Sequence, residues 1–185
     1  MWDICKPRPA KLIIGILAAD QNCLSAAVDI LADQFGKFDF TSDTWHFDQT
    51  DYYKDQMGQT ILRQFVSVEK LIDPGSLADI KHKTNEIEQQ LAAKSNLALP
   101  RPVNLDPGII EPSKLVLAST KNFSHRIYIG NQMYAEVTLM FQKGKWQPLP
   151  FTFPDYASSR YHGLLSKIRD RLVEQLKNRP RNNTP

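Results

Sequence analysis

Arg126 and Glu136 are the pair of side chains in this sequence best suited to chemistry. A guanidinium fork matches phosphate and carboxylate oxygens, and a neighbouring carboxylate holds the fork in place. The same pair also reads as a cross-strand surface ion pair contributing about 0–1 kcal/mol. His125 precedes Arg126, and histidine is the side chain most often used in general acid–base catalysis, so it is a candidate general base. Its structural alternative is a histidine sharing a hydrogen bond with Ser119. Asp106 is the second candidate base, and in Asn104-Leu105-Asp106-Pro107-Gly108 it also reads as the start of an Asx-type turn. Lys114 adds a second cation for an anion. Tyr128 and Tyr134, with Tyr52 and Tyr53 in the Thr50–Gly58 stretch, offer phenols for stacking and hydrogen bonding.

These residues need elements to hold them, and the stretch from Lys114 to Leu149 supplies most. Apolar runs alternate there with polar breaks at Lys121-Asn122, Gly130-Asn131-Gln132 and Lys143-Gly144, the pattern of consecutive β-hairpins. A three-residue loop at 130–132 sets Ile127 opposite Ala135, Tyr128 opposite Tyr134 and Arg126 opposite Glu136. Continuing the meander puts Leu117 opposite Ile127 and, across the Lys143-Gly144 turn, Phe141 opposite Trp146. One face is then apolar (Leu115, Leu117, Ile127, Ile129, Ala135, Val137, Leu139, Phe141). The other carries Lys114, Arg126, Tyr128, Tyr134 and Glu136, with Val116 and Ala118 leaving room for a ligand.

Upstream, Leu12–Leu17 reads as a strand buried on both faces, with Gly15 where another group can approach closely. Asn22 is the predicted cap of a helix that ends at Gly36. Phe38–Phe47 is a strand bent near Ser42-Asp43, and Ile61–Glu69 is a third. Ser76 and Asp79 suggest a capping box for a helix striped by Leu77, Ile80, Thr84, Ile87 and Leu91. Its remaining face, with Lys81, Lys83, Glu86, Glu88 and Gln89, reads as solvated. Tyr161–Leu176 forms the last amphipathic helix. The order predicts an α+β fold: a ferredoxin-like βαββαβ core, extended by an antiparallel β-meander and closed by a C-terminal helix. Residues 1–177 form one domain, and 178–185 a disordered tail.

Composition narrows the function classes. The chain has 185 residues and a net charge of +3, of which Arg179 and Arg181 in the tail supply two. The near-neutral body gives nucleic-acid binding little support. The apolar run near the N-terminus is too short to span a bilayer and lacks a signal-peptide layout, which predicts a cytoplasmic protein with no membrane partner. Cys5 and Cys23 fit no zinc or redox spacing. No phosphate loop, dinucleotide fingerprint or nucleophile elbow occurs. A metal site from Asp106, His125 and Glu136 has no motif spacing behind it, and no cofactor is indicated.

Several stretches together carry a resemblance. Asn104-Leu105-Asp106-Pro107-Gly108, Lys114–Lys121, His125-Arg126-Ile127-Tyr128, Tyr134–Leu139, Pro154-Asp155-Tyr156 and Asp51-Tyr52-Tyr53…Met57-Gly58 resemble an uncharacterised bacterial family known as a domain of unknown function. The resemblance runs from Pro7 to about Leu176 and implies no particular activity, cofactor or catalytic residue. The residues themselves support three readings. One is a small-molecule-binding domain for an anionic ligand, a nucleotide-like one included, on the polar face of the meander. Another is an enzyme using His125 or Asp106 as base on that face. The third is a protein-interaction module, and oligomeric state is left open by all of them.

Overall fold

The structure is a computed structural model describing residues 4–48 and 54–178. Its elements run β1 (Lys11–Ala18), α1 (Gln21–Phe35), β2 (Phe38–Thr41), β3 (Trp45–His46), α2 (Lys54–Met57), β4 (Leu62–Val68) and α3 (Leu77–Lys94). They continue β5 (Val103–Glu111), β6 (Lys114–Ser119), β7 (Ile127–Gly130), β8 (Met133–Gln142), β9 (Lys145–Pro148), α4 (Pro154–Ala157) and α5 (His162–Lys177). Tyr52, Tyr53 and the tail beyond Asn178 lie outside the described residues.

One antiparallel sheet takes the order β2-β4-β1-β5-β6-β8-β7, with β3 beside β4 and β9 beside β8. The α+β class, the largely antiparallel sheet and the C-terminal helix are as the sequence predicts. β1 is buried along all eight residues because helices cover both sides of the sheet. Leu12, Ile14 and Ile16 pack with Leu24 and Leu31 of α1 and Ile87 and Leu91 of α3. Ile13 faces the other way, packing with Phe65, Ile110, Leu115 and Leu139 under Leu165, Ile168 and Leu172 of α5. Lys11, 0% exposed, is anchored by Asp39, the Glu69 carbonyl and Gln175, tying β1 to β2, the end of β4 and α5. The predicted bend in Phe38–Phe47 is the break between β2 and β3.

Two caps differ from expectation. Asp20, not Asn22, caps α1 by accepting the Cys23 N–H. Ser76 makes no side-chain cap bond to α3. A 3₁₀ turn over Pro74–Ser76 precedes the helix, and Asp73 accepts the Gly75 N–H there. In both cases the carboxylate at the loop's end reaches the first free N–H groups before the predicted residue can.

The meander is corrected more deeply. Tyr128 pairs with Tyr134, Ile127 with Ala135, and Phe141 with Trp146, as the register argument requires. The turn is tighter than expected: Asn131 and Gln132 both have positive φ, and Gly130 pairs with Met133 across a bulge. β6, however, pairs with β8 rather than β7: Leu117 sits opposite Glu136, Ala118 opposite Ala135, and Val116 opposite Val137. The six-residue β6 finds a full-length partner in the ten-residue β8, which the four-residue β7 cannot offer. β7 is left at the sheet edge with Ile127 72% exposed, so it is not a core residue. A shift in the β6–β8 register between Leu115 and Val116 also breaks the single-parity faces.

Candidate functional site

The strand holding Asp106 creates the site. Asn104-Leu105-Asp106-Pro107-Gly108 forms no turn; it lies within β5, fully paired to β1. Its pairing with β6 is partial and begins only at Gly108–Leu117. Backbone chemistry explains why it stops there. The N–H and C=O of Leu105 point away from β1, since they bond to side chains of α3. Pro107 has the same parity, so the N–H it lacks is one that β6 would need. The ladder ends at the proline and the two strands part below it.

Helix α3 fills part of that opening. Glu88 accepts the Leu105 N–H at 2.7 Å, and Lys81 donates to the Leu105 carbonyl at 2.7 Å. Buried backbone groups orphaned by the missing strand are thereby satisfied. Glu88 also binds Arg101 through Nε and a terminal nitrogen, at 3.0 and 2.6 Å. Burial pushes the Glu88 carboxyl up from its ordinary range, while Lys81 and Arg101 pull it back. Lys81 and Glu88 are 5% and 8% exposed, so the outer face of α3 is not uniformly solvated. Their seven-residue spacing, on the flank of the apolar stripe, was the available signal.

The remaining opening is a cavity of about 520 Å³. On one side stands Arg63 of β4, 1% exposed, 3.1 Å from Asp155 and 3.4 Å from Asp106. Its guanidinium carbon lies 4.5 Å from the Phe65 ring centroid and 5.2 Å from that of Tyr156. Gly15 makes room for this stack, because a Cβ there would stand 3.1 Å from the Phe65 ring and the Tyr156 hydroxyl. Burial works against the Arg63 charge, but attraction to Tyr156, Asp155 and Asp106 outweighs it and raises the pKa above the usual arginine value. Burial likewise pushes up the Asp155 carboxyl, with Arg63 opposing and Asp106 reinforcing the shift. The Tyr156 hydroxyl is held well above the ordinary phenol value, first by burial.

On the other side stands Glu136 of β8, 2% exposed. Its Oε2 accepts from Arg126 Nε at 2.7 Å and from His125 Nε2 at 3.0 Å. This is no surface ion pair. His125 stacks on Phe151 with ring centroids 4.2 Å apart; its partner is Glu136, not Ser119, whose hydroxyl accepts the Lys121 N–H. Three polar atoms in the cavity-lining residues have no partner among the described residues: Glu136 Oε1, Arg63 Nε and Asn104 Nδ2.

Thus Asp106, Arg126 and Glu136 come together in the cavity walls, joined by Arg63, Lys81, Arg101, Asn104 and Asp155. His125 stands behind Glu136, outside the lining. Lys114 sits at the far end of β6, opposite Met140 and 3.3 Å from Glu111, away from Arg126. Tyr128 and Tyr134 pack edge to face at 5.5 Å without lining the cavity. Val116 faces the opposite side of the sheet from Glu136, while Ala118 does line the opening. Arg63 was legible in one respect: it shares strand parity with the buried Phe65.

The fold and its site define an α+β domain whose central antiparallel sheet parts around a charged, solvent-open cavity. The family model described as "Domain of unknown function (DUF4416)" matches residues 8–172, and the chain belongs to that family. It matches no curated protein and no solved structure. Among the described residues, no helix is long and apolar enough to cross a membrane, and no group of three or more His, Cys, Asp or Glu side chains is arranged to hold a metal ion.

Proposed function

We propose that this protein is a small-molecule-binding domain for an anionic ligand seated in the cavity between β5 and β6. The observation carrying this reading is the charge of the walls. Five basic side chains (Arg63, Lys81, Arg101, Lys121, Arg126) line the cavity against three acidic ones (Asp106, Glu136, Asp155), in a chain whose net charge is only +3. Low-dielectric walls of one predominant sign concentrate ligands of the opposite sign. The volume suits a metabolite of ordinary size. A nucleotide-like ligand fits this description, though none of the sequence motifs that grip a triphosphate is present.

The test is thermal unfolding with nucleotides, phosphorylated metabolites and dicarboxylates, with and without Mg²⁺. A ligand at a hundred times its dissociation constant adds about 2.7 kcal/mol of apparent stability. For a domain of this size that is about 5–10 °C in Tm. Lys121→Ala combined with Arg101→Ala should keep the fold and reduce the shift to a fraction of the wild-type value. A panel that leaves Tm unmoved, or shifts it equally in the double variant, rejects the anion site.

A second reading, an enzyme acting on the same ligand, is favoured by the position of Asp106. Its side chain is 28% exposed, lines the cavity and is oriented by Arg63. A carboxylate so placed is a candidate general base. Asp106→Asn should then lower kcat, measured at saturating ligand, by about 10²-fold or more. Equal turnover by the two proteins eliminates Asp106 from that role.

A further inference from the structure

Building on the anion-site reading, we infer that the ligand is a sugar phosphate: a polyhydroxylated body gripped by Asn104, Asp106 and Glu136, with its anionic group towards Arg101 and Lys121. The unpartnered atoms point to hydroxyls. Glu136 is 2% exposed, and Arg126 and His125 both engage Oε2 while Oε1 is without a partner. Asn104 is 3% exposed, and its Nδ2 donor is likewise unpartnered. An acceptor and a donor, each more than nine-tenths buried in the lining of one cavity, call for groups that donate and accept. A fully ionised phosphate or a simple carboxylate only accepts, so it satisfies Asn104 and leaves Glu136 unanswered. A lone amine satisfies Glu136 and leaves Asn104 unanswered. A hydroxyl does both.

The placement of these residues asks for several hydroxyls. Asp106 and Asn104 belong to β5 and Glu136 to β8, with β6 between them, so the acceptors stand on separate walls. Arg63 braces Asp106 and Arg126 braces Glu136, which keeps both carboxylates in fixed orientations. A ring with hydroxyls around its edge reaches both. Phe153, 41% exposed, also lines the cavity and offers an apolar surface to the C–H face of such a ring.

The experiment is titration calorimetry of the full chain with ribose 5-phosphate, glucose 6-phosphate, a nucleoside monophosphate, methyl phosphate, inorganic phosphate and free ribose. At least one of the hydroxylated phosphates should bind about tenfold or more tightly than methyl phosphate, the step expected for one charge-assisted hydrogen bond. Glu136→Gln keeps the side chain's shape, and circular dichroism checks its fold. In that variant the preferred sugar phosphate should weaken towards the methyl phosphate affinity. Asp106→Asn provides a second test with the same expected direction if Glu136→Gln fails to fold. Equal affinities for methyl, inorganic and sugar phosphates overturn the sugar inference and leave the anion site standing. Binding of free ribose as tight as that of ribose 5-phosphate, or no binding by any phosphate or other anion, overturns both.

Discussion

Arg63→Met should destabilise the fold by about 3–5 kcal/mol, because it removes the guanidinium that Asp106 and the buried Asp155 share. Asp155 is 8% exposed and cannot recover its hydration without opening the α4 segment. The methionine replaces some packing against Phe65 and Tyr156, but not the charge. The effect should depend on pH with a defined sign. Burial already raises the Asp155 carboxyl, and Arg63 is what opposes that shift. Without Arg63 the folded-state value rises further, so the folded protein binds more protons than the unfolded chain from about pH 4 upward. Stability then falls as pH rises through that window, and the deficit relative to wild type shrinks as pH falls from 7 towards 4. Urea unfolding at both pH values measures this. A deficit below about 1 kcal/mol, or one unchanged with pH, contradicts the assigned role. Adding Asp155→Asn should recover part of the loss, since one of the stranded charges is then gone.

The second large effect is expected at Gly108. A Cβ there would lie 2.5 Å from the Val116 carbonyl oxygen and 2.6 Å from Leu117 Cδ2. The first of these is backbone, which has no rotamer by which to retreat. Gly108–Leu117 is also the last pair before β5 and β6 diverge, so the strain falls on the rim of the cavity. Gly108→Ala should therefore cost about 3 kcal/mol, at the upper end of overpacking effects, and lower Tm by about 6–12 °C. It should also weaken any ligand that the cavity binds. Gly163→Ala is the matched control: nothing lies within 4 Å of its Cβ, and alanine suits a helix better than glycine does. Its Tm should stay level or rise. If the two alanine variants unfold at the same temperature, the close approach of β5 and β6 at Gly108 is not what closes the sheet there.

A β5–β6 pairing that stops at a proline is a departure from regular sheet with a chemical consequence. It leaves the Leu105 N–H and C=O without partners on β6, brings Lys81 and Glu88 inward to replace them, and leaves a cavity where the strands part. The charges near the opening are therefore part of what holds the structure together. Glu88 holds backbone and Arg101 together, while Arg126 holds Glu136.

How much of this was legible in the chain depends on the range over which each signal acts. Hydrophobic periodicity is local, and it determined β1 as a doubly buried strand, the stripes of α1, α3 and α5, the bend between β2 and β3, and the Tyr128–Tyr134 and Phe141–Trp146 pairs. The pairing of Arg126 with Glu136 followed from the same hairpin register. What local pattern does not contain is which strands lie side by side. β6 next to β8 rather than β7 is decided by the whole sheet, where a long strand offers a longer ladder than a short one. That choice exposes Ile127, buries Glu136 and separates Lys114 from Arg126. Asp106-Pro107-Gly108 has turn composition, yet β1 pairs with the segment throughout, and the tertiary context overrides the local preference. Arg63, Asp155, Lys81 and Glu88 were unreadable as a site for the same reason. They arrive from β4, α3 and the short helix α4, and only close packing of both faces against the sheet makes their charges neighbours.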